Sequence, residues 1–82
     1  MLVVPVLAIL RGVEEKQLPE LSKVFINSSI DTVEITMNTR GACKLIKYLI
    51  EISGNKLTIG AGTVLTLKDL DEALNAGSKF IV

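Results

Sequence analysis

The sequence has no histidine, no tryptophan, a single cysteine and only one tyrosine and two phenylalanines. Each shortage removes a class of function. With no histidine and with Cys43 as the only thiol, neither a zinc cluster nor an internal disulfide can form within the chain, so no metal is expected. A lone cysteine fits a reducing, cytoplasmic setting. Nine basic residues cancel nine acidic ones. No stretch concentrates the basic residues, which argues against nucleic acid or an anionic membrane as partner. The apolar run Leu2 to Leu10 is too short to cross a bilayer. It also lacks a basic lead and a cleavage site and is interrupted by Pro5, so it reads as part of a soluble protein.

What remains is aliphatic. Of 82 residues, 49% are hydrophobic, and with so few aromatics the core must be built from Val, Ile, Leu and Ala, as in parallel β/α proteins. The length allows one modest core.

Val3, Val4, Val6, Leu7, Ala8 and Ile9 form a continuous apolar run, the pattern of a strand buried on both faces, with Pro5 near its start. From about Glu14 the spacing becomes helical. Leu18, Leu21, Val24 and Phe25 share one face, and Pro19 must lie in the first turn. Thr32 to Thr36 predicts a second strand, β-branched at four of five positions. A second helix follows from about Gly41, with Ala42, Leu45, Ile46, Leu49 and Ile52 facing the core and Gly54 ending it. Leu57 to Ala61 predicts a third strand. Thr66 to Asp69 resembles a capping box opening a third helix, whose expected apolar face is Leu67, Leu70, Ala73 and Leu74. Phe80 to Val82 begins a fourth strand.

The order β-α-β-α-β-α-β, repeating about every 25 residues, predicts an α/β fold with parallel strands in one domain. Helices covering one side only would leave the other sheet face open, so residues 1–82 read as the N-terminal half of a TIM (β/α)8 barrel, an incomplete one. A doubly wound sheet, with helices on both faces, is the competing architecture.

Parallel β/α proteins carry their chemistry at the C-terminal ends of the strands. Three polar features fall there. Glu34 interrupts an apolar strand, where burial penalises its charge and suits it to general acid/base work; a solvent-facing or arginine-paired glutamate is the bland alternative. Arg11 follows the first strand, and its planar fork suits a carboxylate ligand or an ordinary surface ion pair. Gly60-Ala61-Gly62-Thr63 offers open backbone N–H groups and one hydroxyl, or simply a tight strand exit. Cys43 has no basic partner and reads as structural. Asn38, Thr39 and Arg40 are within reach of the rim; the bland alternatives are Thr39 as the cap of the second helix and Arg40 as a solvated side chain.

Taken together, Pro5-Val6-Leu7-Ala8-Ile9-Leu10-Arg11-Gly12, Thr32-Val33-Glu34-Ile35-Thr36-Met37-Asn38 and Ile59-Gly60-Ala61-Gly62-Thr63-Val64-Leu65 resemble the 2-keto-3-deoxy-6-phosphogluconate and 4-hydroxy-2-oxoglutarate aldolases. The likeness extends to the phosphogalactonate aldolases. It implies a class I lyase of carbohydrate metabolism that needs no cofactor. A lysine forms a Schiff base with the 2-keto acid or pyruvate, and a glutamate shuttles protons through a bound water. Glu34 matches that glutamate, Arg11 an arginine that holds the substrate carboxylate in some members, and Thr63 a threonine at the pyruvate site. Other members place the binding arginine four residues after the glutamate, where this chain has Asn38. The family's Schiff-base lysine and phosphate site lie on later strands and match nothing here, which implies that the chain alone is inactive. The resemblance also implies a homotrimer at full length. The alternatives are another phosphate-binding barrel, such as a thiamine-phosphate synthase with a similar glycine-rich strand exit, and a non-catalytic α/β binding module.

Overall fold

A computed structural model describes residues 7–82. The expected first residues of the opening strand, with Pro5 near its start, lie outside that range. Three parallel strands, β1 (Leu7–Leu10), β2 (Thr32–Thr36) and β3 (Thr58–Gly62), lie side by side in that order. Helix α1 (Leu18–Asn27) connects the first two, α2 (Ala42–Ser53) connects the second pair, and α3 (Leu67–Asn75) follows β3. Ile9, Glu34 and Gly60 share one row across the sheet, and Leu10, Ile35 and Ala61 share the next. After α3, Ile81 bridges Ala61 in parallel. The Ala61 N–H donates to the Phe80 carbonyl at 3.0 Å, and the Val82 N–H donates to the Ala61 carbonyl at 2.9 Å. The fourth strand is thus present as one bridge on the outer edge of β3.

Side chains on a strand alternate between faces. Val33, Ile35, Ile59 and Ala61 therefore point one way, and all are buried in the core with Leu18 and Phe25 of α1 and Leu45, Ile46 and Leu49 of α2. Burying each of the larger side chains is worth about 1.5–3 kcal/mol. The opposite face carries Ile9, which is 57% exposed. Helices on one face only are the arrangement of a β/α-barrel wall, and the doubly wound alternative is set aside. No helix among the described residues is long and apolar enough to cross a membrane.

Local chemistry sets the helix ends. A short 3-10 turn (Glu15–Gln17) leads into α1, and Pro19 sits in the first turn of that helix, where its missing N–H has no partner to lose. Gly41 enters α2 at φ +71° and Gly54 leaves it at φ +61°, conformations that glycine adopts without the steric penalty of a Cβ. At α3 the Thr66 hydroxyl accepts the Asp69 N–H at 3.0 Å. The Asp69 carboxylate reaches back past Thr66 to the Leu65 N–H at 3.5 Å, one residue beyond the partner of a regular capping box.

The expected faces of the helices need correction in places. At α3 the buried apolar side chains are Ala73 and, at its end, Ala76; Leu70 is half-buried, and Leu67 and Leu74 point outward at 81% and 52% exposure. Val24 and Ile52 are likewise at the outer margins of their helices. Cys43, in the first turn of α2, is half-buried. Burial pushes its thiol above the usual range, and the Glu72 and Asp69 carboxylates add to that against the opposing charge of Lys47.

Two measurements check this packing. Leu49→Ala should destabilise the protein by about 2–5 kcal/mol in denaturant titrations, and Leu67→Ala by less than about 0.5 kcal/mol. Equal effects would contradict the assigned core. Cys43 should react with a disulfide reagent at pH 8 more slowly in the folded than in the denatured protein, since a raised pKa leaves little thiolate there. A faster folded-state rate would refute its half-buried, anionic surroundings.

Candidate active site at the strand ends

Glu34 occupies the middle of the central strand, on the face opposite the helices. Its residue is only 5% exposed, yet no hydrogen bond or ion pair to its carboxylate is found among the described residues. The strand neighbours beside it are Ile9 and Gly60. Its side chain leans instead toward Gly62, the partner of Thr36 two positions nearer the strand ends, and the carboxylate rests where a Cβ on residue 62 would be. The Phe80 ring does the same over Gly60. These glycines therefore make room for side chains of their own chain. The exposed backbone donors expected of the Gly60 to Thr63 segment are partly committed: the Ala61 and Val64 N–H groups donate to the Phe80 and Val82 carbonyls.

Arg11 and Thr63 leave β1 and β3, the strands on either side of Glu34. The Arg11 Nη2 group donates to the Thr63 hydroxyl at 3.4 Å, a contact between residues 52 positions apart in sequence. It spans the end of β2. Thr63 holds φ at +54°, a region that costs a β-branched residue of order 1–3 kcal/mol and that collects at ligand-binding positions. The ion pairs found among the described residues, Lys16 with Glu14 and Lys68 with Glu72, are both exposed and involve neither Arg11 nor Glu34. Among the described residues, the Arg11 guanidinium thus has no carboxylate partner.

Two further residues belong to this rim: Thr36, which the sequence did not single out, and Thr39, which it placed either within reach of the rim or as a helix cap. Thr36 and Thr39 are buried, with hydroxyl oxygens 2.8 Å apart. Thr39 does not cap α2 through its side chain. Gly41 holds the cap position, and the Thr39 hydroxyl accepts the Gly12 N–H at 3.0 Å. A Thr-x-x-Thr spacing running off a strand end is the only signal that would have pointed to the pair. Asn38 is exposed. Arg40 lines a separate cleft of about 280 Å³ with Gly12, Thr39 and Lys44, which Glu34, Arg11 and Thr63 do not line. All three site residues expected from sequence therefore converge at one end of the sheet: a carboxylate on the open face, with a cation and a hydroxyl bonded to each other beyond it.

Known proteins share both the sequence and this fold. The family described as KDPG and KHG aldolase matches residues 1–82. The 2-dehydro-3-deoxy-phosphogluconate aldolase of Zymomonas mobilis is 36% identical over 80 residues, covering 98% of this chain and 36% of that protein. The 2-dehydro-3-deoxy-6-phosphogalactonate aldolase of Escherichia coli is 33% identical over 78 residues, 95% of this chain and 38% of that protein. The chain thus spans well under half the length of the curated relatives it matches. Among solved structures, KDPG aldolase from Legionella pneumophila, with pyruvate captured at low pH as a covalent carbinolamine intermediate, superposes with a TM-score of 0.84 at 28% identity. That match covers 94% of this chain and 37% of the other. The match over all 82 residues and the parallel β/α wall agree: the chain belongs to the KDPG and KHG aldolase family of lyases.

Proposed function

We propose that residues 1–82 form the N-terminal portion of a single aldolase barrel. The full-length enzyme cleaves 2-keto-3-deoxy-6-phosphogluconate, or a related 2-keto acid, into pyruvate and an aldehyde. It is a class I, Schiff-base enzyme that works as a cytoplasmic homotrimer. The observation that carries this reading is the Arg11 to Thr63 hydrogen bond across the end of the strand that holds Glu34.

The chemistry assigns each group a part. Retro-aldol cleavage breaks the C3–C4 bond of the 2-keto-4-hydroxy acid: the C4 hydroxyl loses its proton as the aldehyde forms, the bonding pair passes to C3, and C3 is then protonated to become the pyruvate methyl. Glu34 takes the hydroxyl proton through a bound water and returns a proton to C3. The Arg11 guanidinium holds the substrate carboxylate, and the Thr63 hydroxyl orients the pyruvate part. Gly62 leaves the space in which the Glu34 carboxylate sits. The Schiff-base lysine comes from elsewhere in the full-length enzyme. Lys16, Lys23, Lys44, Lys47, Lys56, Lys68 and Lys79 are all exposed and lie on helices, in turns or before a strand, and Lys44 lines the separate cleft that Glu34, Arg11 and Thr63 do not line.

In the full-length enzyme, Glu34→Gln should lower kcat by about 10²–10⁴-fold, and Gly62→Ala should lower kcat as well by displacing the carboxylate. Arg11→Ala should act mainly on KM for the 2-keto acid. Steady-state kinetics check all three, and full activity in Glu34→Gln would reject the proton-shuttle role. The 82-residue chain treated with pyruvate and borohydride should show no stable adduct by mass spectrometry. An adduct would overturn the placement of the Schiff-base lysine outside it.

A further inference from the structure

We propose that Thr36 and Thr39 are positioning residues for Arg11, acting through a one-way chain of hydroxyl hydrogen bonds that clamps the backbone on both sides of the arginine. The inference rests on the reading of Arg11 as the substrate-carboxylate ligand and adds to it the residues that hold that ligand in place.

The direction of the chain follows from counting protons. The Gly12 N–H donates to the Thr39 hydroxyl oxygen at 3.0 Å. The Thr36 hydroxyl donates to the Leu10 carbonyl at 3.5 Å, and its single proton is then spent. The 2.8 Å contact between the two hydroxyls must therefore be made by the Thr39 proton. Each hydroxyl donates once and accepts once, in the order Gly12 N–H, Thr39, Thr36, Leu10 carbonyl. The relay begins at the residue after Arg11 and ends at the residue before it.

The surroundings explain why two hydroxyls serve here. Thr36 is 0% exposed and Thr39 6%, so water competes little for their hydrogen bonds. Arg11 and Gly12 are exposed, and Gly12 turns the chain at φ +70°, so the start of this loop has little packing of its own to define it. The relay ties it to the central strand. Thr36 also lies two residues beyond Glu34 on the same strand and face, so the loop carrying the guanidinium is referenced to the strand carrying the carboxylate. Held at its base by the relay and at its tip by Thr63, Arg11 keeps a set reach over the site.

The test uses the full-length protein and the variants Thr39→Val, Thr36→Val and Thr39→Ser, with fold monitored by circular dichroism. Valine keeps the shape and removes the hydroxyl; serine keeps the hydroxyl. Thr39→Val should raise KM for the 2-keto acid about tenfold with kcat changed less than about threefold. Thr39→Ser should restore KM, and Thr36→Val should behave like Thr39→Val even if one of the two valine variants folds poorly. In an Arg11→Ala background, Thr39→Val should add nothing, because its effect passes through the arginine. Amide hydrogen exchange at Gly12 should speed up in Thr39→Val and not in Thr39→Ser. An unchanged Gly12 exchange rate, or a KM increase that persists in the Arg11→Ala background, overturns the relay. Faster Gly12 exchange with KM unmoved in both Thr39→Val and Arg11→Ala overturns instead the assignment of Arg11 to the substrate carboxylate, and with it the positioning role.

Discussion

The placement of the site depends on the register of β2 between its two parallel neighbours. Because side chains alternate, a slip of one residue would exchange the faces: Val33 and Ile35 would leave the helix layer, and Glu34 would be driven into it without a partner. The burial of Val33 and Ile35 against α1 and α2 therefore does more than stabilise the fold. It holds Glu34 on the open face, in the row of Ile9 and Gly60, and the same register brings the ends of β1 and β3 to either side of it. Arg11 and Thr63 meet because the strands that carry them are each one step from the centre.

Small residues perform a second, less visible task. Gly60 and Gly62 face the same side of β3 as Glu34 faces on β2, and both are overlaid by other side chains, the Phe80 ring and the Glu34 carboxylate. The backbone conformation at these positions does not demand glycine; the space does. Gly12, Gly41 and Gly54 are the converse, with open space around them and positive φ. Only Gly77 combines the two, with a positive φ and the Ile50 side chain against it.

Much of this was legible in the sequence, and the reasons differ by element. The second strand was plain from its β-branched run, the second helix from its 3.6-residue spacing and terminal Gly54, and the first helix from the limit that Pro19 imposes. Glu34, Arg11 and Thr63 each had a bland explanation, and they stood out by falling together at the C-terminal ends of successive strands within a recognisable family pattern; the Arg11 to Thr63 hydrogen bond bridges two of those ends. Less legible were features set by contacts between distant segments. The rotation of α3 that buries Ala73 and Ala76 and leaves Leu67 and Leu74 exposed is set by tertiary packing, which helical spacing alone does not give. The pairing of Thr36 with Thr39 and Gly12 depends on a loop docking onto a strand 27 residues away in sequence. Thr39 looked like a helix cap because threonine commonly serves as one, and only the geometry directs its hydroxyl elsewhere. The final strand was read correctly as to place and is present as the bridge of Ile81 to Ala61.

The left-handed backbone at Thr63 has a bearing on how such enzymes tolerate selection for heat resistance. A residue held at φ +54° is one where glycine or asparagine would relieve conformational energy, so a screen that rewards only melting temperature will favour replacing it. The replacement removes the hydroxyl that meets Arg11. Under the role proposed for Thr63, thermal hardening and turnover are thus set against each other at one backbone torsion.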